Sequence, residues 1–260
     1  MAFRSVSFAH LAKFNSAASS SFLEMYNTHV QNKLLAEAAE PPHQTFAPSS
    51  IRCDRISWFR LRGVAPDVPK VADYALNFTA QIGTACHEVI QQNLSEALGP
   101  NWIDVEDYLK SHPIPYEYTL TKRGYETQVE INSPYPIRFA CDGIVFWEGK
   151  YYLLEIKTAT LSSFQELTDP KSEHISQLHT YLTLLGLSKA LVLYQERQFG
   201  DIKVYEESIT DGGKAEILQR MDHVLDCVES NLAPDPLPTG DTWCTPSRCK
   251  YYKKCQDWGR

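Results

Sequence analysis

The sequence predicts an α/β protein in which a mixed central β-sheet is flanked by helices. The chain has 260 residues, of which 43% are hydrophobic, and can bury the core of a single domain of moderate size. From residue 77 onward, the hydrophobic periodicity follows the order α-β-β-β-α-β, which fits a mixed sheet with helices on its faces. A helical region precedes this core. Three of the seven cysteines lie in the last 17 residues, so a cysteine-rich segment follows it.

The N-terminal region, residues 1–76, is predicted to be helical. Its first helix covers Phe22–Ala39 and ends at Glu40-Pro41-Pro42, because proline cannot continue a helix. A second, short helix lies within residues 46–76, which also contain Cys53.

The core, residues 77–232, is predicted to open with a helix over 77–98 that stops at Gly99-Pro100. Residues 100–118 are polar and rich in proline, and are predicted to form a lid or loop. Runs of β-branched and aromatic residues predict the strands, with Glu148-Gly149 as a hairpin turn. The predicted strands cover residues 126–131, 137–147, 150–157, 190–195 and 204–209. The remaining predicted helices cover residues 172–186 and 214–231. The turn-rich stretch 233–238 opens the cysteine-rich segment 233–260.

Asp142, Glu155 and Lys157 form the most informative pattern in the chain. The predicted hairpin sets the two carboxylates on neighbouring strands, close enough to hold one hard divalent cation. The alternation of a strand turns Lys157 to the same face as Glu155. Two carboxylates and an ammonium around one metal suit phosphodiester hydrolysis, because the metal binds the phosphate and lowers the pKa of a water. The alternative is that these residues are only the polar face of an amphipathic hairpin.

Two helical patterns accompany this hairpin. Upstream, Gly83 and His87 form G-x-x-x-H in the helix 77–98. Downstream, Gln177 and Tyr181 form Q-x-x-x-Y and, being four residues apart, share a helix face. Taken alone, each pattern is equally compatible with ordinary polar residues on a helix. In this order and spacing, the motifs together resemble the PD-(D/E)XK nuclease superfamily and, within it, the RecB-like branch.

The resemblance implies a restriction-endonuclease-like core and a Mg²⁺ or Mn²⁺ ion. The implied metal ligands are His87, Asp142, Glu155 and the main-chain carbonyl of Ile156. The implied catalytic residues are Asp142, Glu155, Lys157, Gln177 and Tyr181, of which the last two face the same cleft and contact DNA. Relatives often carry a further acid in the preceding strand. We assign it to Glu130, with Glu126 on the same strand face as the competitor.

The seven cysteines divide into two groups. An odd number, in a chain without a recognisable secretory signal, argues against a disulfide framework. Cys86, Cys141 and Cys227 lie in apolar surroundings and are predicted to be core residues. The other four are one upstream cysteine and a C-terminal C-x4-C-x5-C pattern, namely Cys53, Cys244, Cys249 and Cys255.

This second group resembles the iron–sulfur site of AddB-type and CRISPR-associated RecB-like exonucleases, with one cysteine before the nuclease core and three after it. The resemblance implies a cluster with four thiolate ligands, for which 4Fe–4S is the expected type. The first C-terminal spacing departs from the C-x2-C of relatives. Four thiolates also suit tetrahedral zinc, which stays as the alternative.

Charge is distributed unevenly along the chain. The formal net charge is −7, yet residues 51–70 carry +3 and residues 244–260 carry +4. The four cysteines would join these two segments, so a basic rim beside an acidic metal site is a predicted DNA track. The aromatic residues among these basic ones either stack on unpaired bases or pack around the cluster. Packing is predicted for Trp58, Phe59 and Tyr252, and both alternatives stay open for Tyr251 and Trp258.

The predicted function is a metal-dependent DNA exonuclease acting on single strands or DNA ends, with 5′-to-3′ polarity favoured by the resemblance. The alternatives are a catalytically idle nucleic-acid-binding or adaptor module, and an endonuclease with a structural zinc site. No G-x-x-x-x-G-K-[ST] loop occurs, so unwinding is expected from a helicase, and the resemblance also points to recombination or CRISPR adaptation partners. No apolar run approaches the roughly 20 residues of a membrane span, and a cytoplasmic, phage- or prokaryote-encoded protein is expected.

Overall fold

Residues 17–39, 43–67, 74–238 and 240–258 are described by the structure, a computed structural model. The chain divides into two compact units, one made of residues 1–41 and 69–78 and the other of residues 42–68 and 79–260. In the first unit, helix α1 (Ala17–Ala39) confirms the predicted helix but begins earlier, because alanine and serine extend it at its start.

The second unit contains a five-stranded mixed sheet. Its strands are β1 (Trp102–Ile103), β5 (Gly143–Trp147), β6 (Lys150–Ala159), β7 (Lys189–Glu196) and β8 (Ile202–Ser208), and they lie side by side in that order. β6 and β7 are parallel and the other neighbouring pairs are antiparallel, which confirms the predicted mixed sheet. Glu148 and Gly149, both at positive φ, make the predicted two-residue turn between β5 and β6.

A second sheet is an antiparallel meander of β2 (Glu117–Arg123), β3 (Glu126–Ser133) and β4 (Ile137–Cys141). The helices after α1 are α2 (Asp54–Leu61), α3 (Tyr74–Leu98), α4 (Val105–Ser111), α5 (Leu161–Gln165), α6 (Ser172–Leu184), α7 (Asp211–Glu229) and α8 (Tyr252–Asp257). Among the described helices, none combines the length and the apolar character that a membrane crossing needs.

Helices cover both faces of the five-stranded sheet. On one face, Ile90 of α3 packs against Leu154 and Ile156 of β6. The opposite face of β6 carries Leu153, which belongs to the large core that includes Leu178 of α6. Side chains of a strand alternate between its two faces, so β6 contributes to both layers of the core.

The prediction of a lid or loop at residues 100–118 was wrong. This stretch contains β1 and α4 and leads into β2. Val105, Tyr108 and Leu109 of α4 are buried in the core, and the Asp104 carboxylate caps the helix by accepting the Glu106 N–H at 2.9 Å. The proline-rich composition concealed a short helix with one apolar face.

The single strand predicted over 137–147 was also wrong. It is two strands, β4 and β5, which belong to different sheets and meet at Asp142. Gly143 opens β5 because the Trp102 ring lies where a side chain would be: a Cβ there would stand 2.7 Å from the ring. The carboxylate of Asp142 therefore projects from the point where the chain passes between the two sheets.

Candidate functional site

Three potential metal ligands meet at Asp142. His87 of α3 has its Nδ1 atom 3.3 Å from Asp142 Oδ1 and 3.7 Å from Glu126 Oε1. Glu126 opens β3, and the next residue, Thr127, pairs with Cys141, so the strand register brings Glu126 beside Asp142. The ligand atoms of all three side chains lie within 4.8 Å of one another. An imidazole nitrogen and two carboxylates suit a divalent cation.

Hydrogen bonds from two elements hold Asp142. Its Oδ2 accepts the Ile156 N–H at 2.7 Å, and its main-chain carbonyl accepts Gln91 Nε2 at 2.7 Å. Gln91 is 1% exposed and lies one turn after His87 on α3, so the helix presents both side chains to the same point. The sequence analysis missed Gln91, although a polar residue four positions after His87 was the available signal.

The other predicted catalytic residues form a second, contiguous group. The buried carboxylate of Glu155 contacts Lys157 Nζ through Oε1, and Oε1 also accepts Gln177 Nε2 at 3.4 Å. Gln177 Nε2 lies 2.5 Å from the Tyr181 hydroxyl. The Tyr181 ring stacks on Phe139 of β4, with 4.6 Å between ring centroids. β6 and α6 thus supply a polar network beside the Asp142 group, and the Ile156 N–H connects the two.

The electrostatics of the site favour a bound cation. Burial raises the pKa of Glu155 to about 7, and Asp142 adds to this effect while Lys157 opposes it. Burial disfavours the charged form of His87, but Asp142 and Glu126 outweigh it and raise its pKa to about 9. Two buried carboxylates, Asp142 and Glu155, therefore repel each other, and a divalent cation would relieve this repulsion.

The structure distinguishes the two acids considered for the strand before Asp142. Glu130 lies opposite Arg138 in the β3–β4 register, four residues along β3 from Glu126 and so about 13 Å away along the strand. The competitor Glu126, and not Glu130, is the acid that the structure brings to His87. Ile156 presents its N–H to Asp142; its carbonyl remains a predicted ligand.

His174 is a further residue that the sequence analysis missed. It lies on α6, three residues before Gln177, and its Nδ1 is 2.7 Å from the Tyr194 hydroxyl. Tyr194 is the β7 partner of Lys157 in the parallel register. Burial, with the positive charge of Lys157 as a second cause, lowers the pKa of His174 to about 4, so the imidazole is neutral near pH 7. The spacing from Gln177 was the available signal.

The four cysteines predicted as ligands line one cavity of about 210 Å³. Cys53 precedes α2, Cys244 and Cys249 lie in the loop before α8, and Cys255 lies in α8. Burial raises the pKa of the Cys53, Cys244 and Cys249 thiols, and neighbouring cysteines raise each of them further. Among the described residues, no three of these sulfur atoms lie within 4.8 Å of one another.

The C-terminal segment packs directly on α2. The Asp67 carboxylate accepts the Lys253 N–H at 2.6 Å at the start of α8. Tyr251 stacks on Phe59 with 5.1 Å between ring centroids. Trp258 meets the edge of Trp58 at 5.1 Å, although it stays 44% exposed. Both residues left open by the sequence analysis therefore pack against α2 beside the cavity.

Comparison with known proteins gave matches among solved structures only; no family model and no curated protein matches the chain. It is similar to SSO0001 at 18% identity, over 87% of this chain and 98% of that one, with a TM-score of 0.46. It is also similar to the alkaline exonuclease LHK-Exo from Laribacter hongkongensis at 16% identity, over 75% and 93% of the two chains, with a TM-score of 0.44. The same exonuclease in complex with dAMP matches at 16% identity, over 73% and 90%, with a TM-score of 0.44.

Proposed function

We propose that this protein is a metal-dependent deoxyribonuclease of the exonuclease type. The single observation that carries the proposal is the pair of adjoining groups around Asp142. One group, His87, Glu126 and Asp142, offers metal ligands, and the other presents a lysine beside a buried carboxylate. A cation site next to an ammonium suits phosphodiester hydrolysis, because both stabilise negative charge that develops on the phosphate.

The donor set fits Mg²⁺ or Mn²⁺. His87, Asp142, Glu155 and the Ile156 carbonyl would hold the ion, with Glu126 as a further carboxylate. Oxygen ligands suit both ions, and an imidazole is more readily accepted by Mn²⁺. When bound, the cation neutralises charge on the phosphate and lowers the pKa of a water.

The protein's own residues position the reacting groups. Lys157 lies on the same face of β6 as Glu155 and contacts its carboxylate, so the ammonium is held where negative charge develops on phosphorus. Gln177 donates to Glu155 and fixes the carboxylate from the side of α6. Tyr181, stacked on Phe139, holds Gln177 in turn and limits the movement of this wall.

We propose single-stranded DNA or DNA ends as the substrate, with 5′-to-3′ polarity. Support for a DNA substrate comes from the net charges of residues 51–70 and 244–260, both positive in a chain that is negative as a whole, whereas the polarity follows only from the resemblance to RecB-like exonucleases. The packing of α8 and Asp67 supports a common basic rim built from both segments. Because the sequence has no nucleotide-binding loop, unwinding would come from a separate helicase or recombination partner.

We also propose that Cys53, Cys244, Cys249 and Cys255 bind an iron–sulfur cluster, with zinc as the alternative. A tetrahedral zinc site brings thiolate sulfurs to about 3.8 Å from one another, given its Zn–S bonds of about 2.3 Å. The four cysteines line one cavity of about 210 Å³, which has room for a polynuclear group, and the resemblance to iron–sulfur exonucleases places the cluster ahead of zinc. The cluster would serve as a structural staple between α2 and the C-terminal segment.

The experiment that tests the function uses end-labelled linear DNA and closed circular DNA, single- and double-stranded, with Mg²⁺ or Mn²⁺. Digestion of linear but not circular DNA is expected, with release of nucleotides from the 5′ end. Asp142→Asn and Glu155→Gln should abolish this while the fold is retained. Nicking of circles would favour an endonuclease. DNA binding without cleavage under all metal conditions would favour the idle adaptor and overturn the proposal.

A further inference from the structure

Arg55 is a buried cation on the wall of the cysteine cavity. It lies in the first turn of α2, two residues after Cys53, and is 8% exposed. Its Nε donates to the Pro234 carbonyl at 2.7 Å. Its Nη1 donates to the Cys255 carbonyl at 3.3 Å and lies 3.8 Å from the Cys255 sulfur. The guanidinium therefore spans from α2 to a predicted metal ligand on α8.

Among the residues that the structure describes, Arg55 has no ion-pair partner. In the described part of the chain, no Asp or Glu oxygen lies within 4.0 Å of the Arg55 guanidinium. The adjacent Asp54 is engaged by Arg220 instead. Burying a charge without a partner of opposite sign is unfavourable, so natural proteins rarely leave one unpaired. We therefore expect a negatively charged group in the cavity to pair with Arg55.

Arg52 supplies a second, independent observation on the same cavity. Its guanidinium lies over the Trp243 ring, 4.6 Å from the centroid, and 3.9 Å from Asp241. Its Nε–H, however, is buried and has no hydrogen-bond partner among the residues that the structure describes. A buried donor without a protein acceptor is rare, and a water, an ion or a bound group then completes its hydrogen bonding.

We propose that Arg55 is the counter-ion of an anionic metal–thiolate centre held by Cys53, Cys244, Cys249 and Cys255. This inference rests on the metal centre proposed above, and applies equally to an iron–sulfur cluster and to zinc. Four thiolates carry more negative charge than the metal neutralises. The Arg55 Nη1–H donates to the Cys255 sulfur, and the positive charge of the guanidinium would offset the negative charge of the centre. Arg55 thereby retains the metal without being a ligand.

The first test compares metal retention in three variants. Arg55→Gln removes the charge, Arg55→Lys keeps it without the forked donor, and Arg62→Gln is the matched control, an exposed arginine just after the same helix. Iron, sulfide and zinc are quantified in anaerobically purified protein, and loss of the metal-dependent absorbance is followed after addition of a chelator. Arg55→Gln should lose metal roughly tenfold faster or more, Arg55→Lys at an intermediate rate, and Arg62→Gln at the wild-type rate.

The second test separates a counter-ion from a merely structural arginine. Chemical unfolding of wild type and Arg55→Gln is measured for the metal-loaded protein and again after the metal is removed. A counter-ion predicts a large loss of stability in the loaded protein and a smaller loss, or a gain, without metal, because the buried charge then has no partner. An equal loss in both states would assign Arg55 only to its carbonyl contacts and overturn the inference.

The outcomes also distinguish this inference from the proposed nuclease function. Wild-type protein that carries no metal at the cysteines would overturn the counter-ion, but would leave cleavage at Asp142 to be judged by its own assay. Metal-loaded wild type with equal retention in Arg55→Gln would overturn the counter-ion alone. Arg55 does not contact the Asp142 group in the described structure, so Arg55→Gln is read by metal content and unfolding rather than by activity.

Discussion

Glu126 and Glu130 lie on the same face of β3, but the register of the sheet gives them different neighbours. Glu126 reaches His87, whereas Glu130 faces Arg138. We therefore expect Glu126→Gln to weaken Mn²⁺ binding by roughly 10- to 100-fold, because a carboxylate at the cation site is lost. Calorimetric titration with Mn²⁺ measures the effect, and Glu130→Gln is the matched control. If only Glu130→Gln weakened Mn²⁺ binding, the assignment of Glu126 to the cation site would be contradicted.

Among the described residues, Lys157 is the cation that forms an ion pair with Glu155, and its expected role is in the transition state. Lys157→Ala should lower the cleavage rate by roughly 10²- to 10³-fold, with DNA and metal binding retained. Lys189→Ala, which removes an ion pair with Glu206 on neighbouring strands, is the control and should cleave at the wild-type rate. Gln177→Ala and Tyr181→Phe should have milder effects. Unchanged turnover at saturation with weaker DNA binding would make Lys157 a simple phosphate contact.

The lowered pKa of His174 predicts that the folded protein loses stability as the pH falls. Its pKa is lowered to about 4 by burial, while an unfolded histidine titrates near 6.5. Between these values the unfolded chain binds a proton that the folded chain does not, so stability falls as pH drops from 6.5 towards 4. His174→Gln should reduce this fall by about 1–2 kcal/mol, allowing for the partial exposure of the ring. Urea unfolding at pH 7, 5.5 and 4.5 checks it; equal slopes in both proteins would refute it.

At the scale of elements, Gly143 decides how β5 meets β1. A Cβ at Gly143 would lie 2.7 Å from the Trp102 ring, so Gly143→Ala should displace the ring or the strand and cost about 1–3 kcal/mol. The control is Gly83→Ala on α3, where a Cβ would lie 3.5 Å from Thr158 Oγ1, an ordinary contact. Alanine favours a helix over glycine by about 1 kcal/mol, so this variant should be neutral or more stable. Thermal unfolding of the two variants is compared. Equal changes in stability would contradict the close approach of the Trp102 ring to Gly143.

For the whole molecule, the cysteine site is expected to join parts of the chain that are far apart in sequence. Closing a loop of about 190 residues between Cys53 and Cys244 should restrict the unfolded chain by about 5 kcal/mol, by analogy with a long disulfide. Cys53→Ser, or a change at any of the three C-terminal cysteines, should lose the metal and lower the unfolding midpoint.

Cys86→Ser and Cys227→Ser serve as controls for the cysteine site and should keep the metal. Because Cys227 is buried, Cys227→Ser is judged by metal content rather than by stability. Protein purified without oxygen should show the broad visible absorbance of an iron–sulfur cluster. Colourless protein with one equivalent of zinc would show that the four cysteines hold a structural metal, and that this metal is zinc and not an iron–sulfur cluster. Full metal content in Cys53→Ser would show that Cys53 is not a ligand, so the metal would not link it to the C-terminal cysteines.

By itself, the sequence determined the elements whose pattern is local. The mixed sheet, the turn at Glu148-Gly149 and the helices around His87 and Gln177 follow from apolar periodicity and turn residues, and the structure confirms them. Periodicity did not reveal the break at Asp142, because Cys141 and Gly143 are both buried and the apolar pattern continues through the passage between sheets. It also missed α4, whose polar and proline-rich neighbours concealed a buried face.

Only the tertiary structure decided which distant side chains meet. Strand register selected Glu126 over Glu130, and the approach of α3 brought Gln91 to the Asp142 carbonyl. Arg55 reaches Cys255 across 200 positions of sequence. Such contacts depend on the packing of whole elements, and a polar residue looks the same in sequence whether it meets solvent, a carbonyl or a metal ligand. Local sequence specifies which groups are available, and packing specifies their partners.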